Sequence, residues 1–152
     1  MFQKIMRTGN SPIGFILRLA LGIVMLAHGL QQTLGWFGGK GFASKMAYYT
    51  GPSYHIPWIF SFLGILTVSI GSVLLIIGLW GRIMAFLEGV FLLVAFFTTH
   101  ISNGFFMNWE GIKHGEGFEY HILAIGIVIA IIIYGSGWLS LDRLFTKKKE
   151  RV

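Results

Sequence analysis

His28, Gln31 and Gln32 recur at i, i+3 and i+4 inside the apolar stretch from Ile13 to Leu34, so one helix face gathers an imidazole and two carboxamides. His100 closes a later apolar stretch, and Glu119 and His121 open another. If those ends lie at one level they make a polar ring. Histidine and glutamate there would exchange protons near neutral pH with a small redox-active or carbonyl-bearing molecule. The same ring could instead serve hydrogen bonding between helices and contact with solvent at a boundary. Glu119 and His121 are two residues apart, so at most one of them faces the ring. The histidines form no H-x-x-x-H pair and come from separate helices, so neither a metal nor a haem is expected between them. No cysteine is present, which excludes a thiol relay, a disulfide and any cysteine-ligated metal within this chain.

Two further charges sit deeper in apolar sequence. By helical rise Arg18 lies roughly 6 Å and Glu88 roughly 9 Å from the same end of their stretches. The matched depths predict a contact. It would be either a station on a proton or anion path or a buried ion pair that fixes helix registry.

The elements that must carry these residues are long and apolar. The chain has 152 residues, 55% of them hydrophobic and only 12% charged, with a mean hydropathy of +0.72. That composition belongs to a membrane protein, and the length to one domain spanning 1–152. The reading is an all-α integral membrane four-helix bundle with spans near 13–34, 57–79, 83–101 and 118–139. The fourth is the awkward one, since its purely apolar run, Ile122 to Tyr134, has 13 residues. To cross a layer of about 30 Å it must recruit Glu119, Tyr120 and His121 on one side and Trp138 and Leu139 on the other. The first span is expected to be retained, because no small-x-small cleavage site follows it.

Two segments rich in glycine and aromatics, 35–56 and 102–117, join the spans. In the first, Phe42, Met46 and Tyr49 stand at helical spacing, which predicts a short helix lying in the membrane surface. Trp36 and Trp109 are candidates for a lid over a flat ligand; the other tryptophans and tyrosines suit an interfacial belt. The net charge of +6 does not indicate nucleic acid, because the basic residues sit at the ends of apolar runs. Lys4, Arg7, Arg82, Arg143, Lys147, Lys148, Lys149 and Arg151 fall on one side, against Lys40, Lys45 and Lys113 on the other. That asymmetry predicts cytoplasmic termini and both aromatic loops on the outer face.

With the spans placed, the sequence resembles the DoxX family of small integral membrane proteins. The likeness rests on Leu17-Arg18-Leu19-Ala20-Leu21-Gly22 leading to His28-Gly29-Leu30-Gln31, and on Gly35-Trp36-Phe37-Gly38-Gly39. It continues through Gly104 to Glu119, with Asn108-Trp109 and His114-Gly115-Glu116-Gly117-Phe118, and through Gly135 to Arg143. The resemblance implies kinship with the small subunit of the archaeal thiosulfate:quinone oxidoreductase, and with members tied to thiol and oxidative-stress systems. It departs at Gln32, where a lysine is frequent, and that departure puts thiosulfate-type chemistry in doubt.

The expected function is therefore a small subunit of a quinone-linked oxidoreductase in the bacterial cytoplasmic membrane. Its outer pocket would bind quinone or a small thiol-related molecule, and a membrane or periplasmic redox protein would be its partner. A small-solute carrier or channel is the first alternative, with Arg18, Glu88 and the outer ring as stations. A noncatalytic scaffold that recruits a periplasmic protein is the second. Assembly as a homo-oligomer fits any of the three.

Overall fold

The computed structural model describes residues 6–147. Among these, all regular structure is helical. In chain order the helices are α1 (Pro12–Thr33), α2 (Gly41–Thr50), α3 (Trp58–Ile77), α4 (Gly81–Asn103), α5 (Glu119–Tyr134) and α6 (Leu141–Lys147). α3 contains a π-helical turn at Thr67–Gly71, and α4 contains another at Phe96–His100. α1, α3 and α4, at 22, 20 and 23 residues, are each long and apolar enough to cross a membrane. Lys4, Lys148, Lys149 and Arg151 lie outside the described residues.

The start of α1, the turn before α4 and the segment after α5 share one end of the bundle, called the terminal end below. Trp138 N donates to Ser11 O there (3.1 Å) and Asp142 N to Gly78 O (2.9 Å). The two long aromatic segments share the opposite, loop end. The surface helix expected around Met46 is α2, with Met46 buried beneath it.

α1 is the hub. Ser11 caps its first turn by accepting from Ile13 N (3.2 Å), and Pro12 follows in the first helical position. Its buried residues, Gly14, Arg18, Leu21, Gly22, Met25, Gly29 and Gln32, recur every three or four positions along one face. That face meets α2, α3, α4 and α5. A Cβ at Gly29 would collide with Val68 O, and one at Gly22 would stand 2.7 Å from Ile76 Cγ1. Glycine at both positions lets α1 and α3 touch backbone to backbone. Leu21, Met25, Val68, Leu75, Ala85, Leu92, Val128 and Ile131 fill the core between the long helices.

The fourth apolar stretch ends sooner than its sequence suggests. α5 stops at Tyr134, about 24 Å long by helical rise, and Trp138 and Leu139 are not part of it. Gly135 (φ 77°), Gly137 (φ 68°) and Leu139 (φ 49°) all take left-handed backbone, which ends the helix. The carbonyls left free by that turn are claimed by arginine. Arg18, only 1% exposed, donates from Nε to Ser136 O (2.9 Å), from Nη2 to Trp138 O (2.9 Å) and Leu139 O (2.7 Å), and from Nη1 to Ile76 O. Arg82 donates to Ile132 O (2.8 Å) and Ile133 O (3.1 Å) at the end of α5. Buried Asp142 then caps α4, accepting from Trp80 N (2.7 Å), Gly81 N (2.9 Å) and Ser136 Oγ (2.6 Å).

The expected Arg18–Glu88 contact is therefore not made. Side chains on a helix lean towards its N-terminus, so the long Arg18 stem carries its guanidinium back to the level of Gly78, at the terminal end. Glu88 sits about two helical turns inside α4, where Ser72 Oγ donates to its Oε1 (2.9 Å) and Oε2 has no partner. Counting depth from span ends missed this, because it ignored the reach and lean of each side chain.

Arg18→Ala leaves the turn carbonyls of Ser136, Trp138 and Leu139 without donors and is expected to destabilise the bundle by about 3–5 kcal/mol. Arg18→Lys should recover only part of this, since an ammonium cannot fork across the turn. Adding Glu88→Gln should restore nothing. Thermal unfolding in detergent checks all three, and a wild-type midpoint for Arg18→Ala would refute the clamp.

Candidate functional site

At the loop end the helices separate around a cavity of about 740 Å³. α1 contributes His28, Gln31 and Gln32; α4 contributes Thr98, Thr99 and His100; α5 contributes Tyr120 and His121. Of the residues expected in the polar ring, the structure thus brings five to one cavity. Glu119 is turned away: its Oε1 accepts from Met107 N (3.1 Å) and Trp109 Nε1 (3.1 Å), holding the 104–118 segment instead. Trp36 and Trp109 do not form a lid, since neither lines the cavity and Trp109 is 84% exposed. Each is carried on an irregular glycine-rich segment that holds it outward. Met107 and Glu116 reach the cavity from the same segment as Trp109.

His100 and His121 face each other with ring centroids 4.3 Å apart. His100 Nδ1 is 2.9 Å from Glu116 O, while Nδ1 of buried His121 has no partner. A buried polar atom without a partner is uncommon in a native fold, and this one lies on a residue of the cavity wall. His28 is held within electrostatic reach of Lys45 and His100. Among the described residues no three histidines or carboxylates converge closely enough to hold a metal ion.

Sequence spacing did not reveal the second half of the site. α2 lays Lys45, Tyr48 and Tyr49 along the cavity, at i, i+3 and i+4 of its own turn. Lys45 Nζ stands 4.8 Å from the ring centroids of both tyrosines, a cation–π cradle. Tyr49 OH donates to Gln32 Oε1 (3.2 Å), and Tyr48 OH, Tyr54 OH and Thr99 Oγ1 form a chain with steps of 2.9 and 3.2 Å. The signal was there, in one lysine and two tyrosines on a single face of a short helix, but a surface helix usually carries such residues into solvent. Position 32 lacks the lysine that the family resemblance leads one to expect, and Lys45 supplies a cation to the same cavity.

Both π-helical turns border the cavity, through Thr67 in α3 and Thr98, Thr99 and His100 in α4. A π turn inserts an extra residue and bulges the helix, a distortion concentrated at functional sites. Here it swings three polar side chains of α4 onto one wall.

A family model described as DoxX matches residues 13–101. The chain belongs to the DoxX family. The match runs from the start of α1 to the end of the π turn of α4, so it contains Arg18, Lys45, Tyr49 and His100 but not His121 or Asp142. A curated relative from Bacillus subtilis (strain 168), named "Putative oxidoreductase CatD", is 30% identical over 141 residues, covering 89% of this chain and 88% of its own. No solved structure matches. Together with its three long apolar helices, membership of this family makes the chain a multi-pass membrane protein.

Burial lowers the affinity of the Lys45 ammonium for its proton, with Tyr54 opposing. Hydrogen bonds from Thr99 and then Tyr48 pull Tyr54 down. Burial pushes the Tyr49 hydroxyl up, and Tyr48 and Tyr54 add to the effect. A tyrosine raised above its unfolded value of about 10 contributes stability that is complete below that pH and is lost as pH rises through the folded value. Tyr49→Phe is therefore expected to flatten the alkaline loss of thermal stability above about pH 10. Unchanged alkaline melting curves would show that Tyr49 is not held neutral by its surroundings.

Proposed function

We propose that this protein is the small membrane subunit of a quinone-linked oxidoreductase, with the loop-end cavity as its quinone site. The observation that supports this most is the make-up of that cavity, which has apolar walls from α3 and α4 and one polar end of His28, Lys45, Tyr49, His100 and His121. Its volume falls within the range of small-molecule sites, which is about 300–1,000 Å³. A flat ring with two carbonyls suits it. Lys45 and the cavity-lining imidazoles, acting as hydrogen-bond donors, favour the negative charge that grows on such oxygens during reduction. The Tyr48, Tyr54 and Thr99 chain links the cavity to the α2 surface and offers a path for the protons. No side chain here carries electrons alone, so a partner protein supplies them. The name of the Bacillus subtilis relative, an oxidoreductase, supports the same class.

The carrier reading loses its lower station, since Arg18 is fully engaged with carbonyls. For topology, the bias of Lys and Arg supports four crossings in a bacterial cytoplasmic membrane, with the terminal end inside. In that arrangement α5 crosses with the help of the turn at 135–140, whose carbonyls Arg18 takes, while Arg82 takes the last carbonyls of α5.

Purified protein should retain extractable quinone. His28→Ala and His100→Ala should each weaken quinone binding about tenfold, the value of one lost hydrogen bond in a dry site, without shifting the melting midpoint. Wild-type retention in both variants would remove them from the site. The absence of cysteine allows topology to be read directly. A single cysteine at Trp109 should react with an impermeant maleimide in intact cells, and one at Phe145 should not; the reverse pattern would invert the orientation.

A further inference from the structure

We infer that the cavity is reached sideways from the bilayer, through a slot between the loop-end half of α3 and the middle of α4. Its ligand then carries a long apolar tail that lies in this slot while the polar head occupies the histidine end. This deepens the quinone reading above and rests on it.

Three observations carry the inference. Leu63 of α3 and Leu87, Val90 and Val94 of α4 line the cavity, and the same four residues are 45%, 39%, 44% and 45% exposed. Cavity-lining side chains this exposed mark its open side. The pattern of contact explains why it lies there. α3 packs on α4 through Thr67–Gly71 and Ser72–Ile77, whereas Trp58–Leu66 packs on α1 and α2. The two helices thus part company just where the π turn of α3 begins. Finally, Gly64 sits at the narrow point, where a Cβ would stand 3.4 Å from Phe91 Cδ2. A larger side chain at 64 would bridge the gap; glycine keeps it open.

The 104–118 segment is tied by Asn108, whose side chain bonds Lys113 N (3.0 Å) and Lys113 O (2.9 Å), and by Lys113 Nζ to Phe106 O (2.8 Å). It contributes Met107 and Glu116 to the cavity wall. An apolar mouth in the lipid-facing surface, leading to a polar end, fits an amphiphile dissolved in the membrane. The tail gains little free energy on leaving lipid for an apolar slot. What the slot provides is passage, and its closure would exclude any ligand whose tail must trail out of it.

The test uses the full chain in lipid nanodiscs and two probes, a dimethoxybenzoquinone carrying a decyl tail and the same ring carrying only a methyl group. Gly64→Leu fills the slot from α3. Val90→Trp narrows it from its lipid-facing lip and does not depend on the tolerance of Gly64. Each variant is expected to weaken binding of the tailed probe at least about tenfold while changing the short probe less than about twofold, which is discrimination by a built clash. Equal effects on the two probes, or none on either in both variants, would overturn sideways access and leave the quinone site standing. Failure of the wild type to bind either probe would overturn both the quinone site and the route to it.

Discussion

The interaction on which the fold depends is the fork of Arg18 across a broken stretch of backbone. A chain that ends its last long helix at Tyr134, about 24 Å from its start, leaves the carbonyls of residues 132–139 without helical partners. In hydrocarbon each unpaired carbonyl costs several kcal/mol, so irregular backbone survives only where protein covers it and meets its hydrogen bonds. Guanidinium is the side chain suited to this, with five donors in a rigid plane and a charge that persists in poor solvent. Arg18 takes carbonyls from both the α3 terminus and the 136–139 turn. One side chain of α1 thereby fixes the register of α3 against the end of α5.

The terminal end is consequently tight. Asp142 holds the first amides of α4, Arg82 holds the last carbonyls of α5, and Gly14 lets α1 press on the 135–137 turn, where a Cβ would collide with Gly135 O. Towards the loop end α3 and α4 part, since Thr67–Gly71 and Ser72–Ile77 pack on α4 while Trp58–Leu66 packs on α1 and α2. The cavity lies there, bordered by both π turns. A void of this size would cost a soluble core dearly, since packing contacts are lost along its whole lining. At a membrane boundary, lipid and ligand can occupy it.

How much of this was legible in the sequence follows from what each kind of residue reports. The apolar runs gave the long helices to within a few residues, because hydropathy over twenty positions is set by the bilayer and not by local chemistry. His28, Gln31, Gln32, His100 and His121 could be grouped because polar residues near span ends have few places to go. The partner of Arg18 could not be found, since it is backbone, and carbonyls carry no letter in the sequence. Asp142 was equally silent: it looks like the first turn of an ordinary amphipathic helix, and only the fold brings Gly81 to it. The contribution of α2 to the site was hidden for a related reason. Periodicity showed that a helix existed at Met46 but not that its Lys45 and Tyr49 face would be pressed against α1.

The distribution of charge follows from the same division. Arg18, the cation in the tight end, is wholly engaged with fixed dipoles and has no freedom to respond to a ligand. Lys45, at the loop end, rests on two aromatic faces and is partly dehydrated without an acidic side chain bonded to it. A cation supported only by ring quadrupoles keeps most of its field for whatever lies across the cavity from it. His28, His100 and His121 share the cavity with Lys45, and the one acidic side chain in the wall, Glu116, is turned to the Asn108 backbone N–H (2.7 Å). Anchoring one end of the bundle on backbone leaves the charged and polar side chains of the other end free of that structural task.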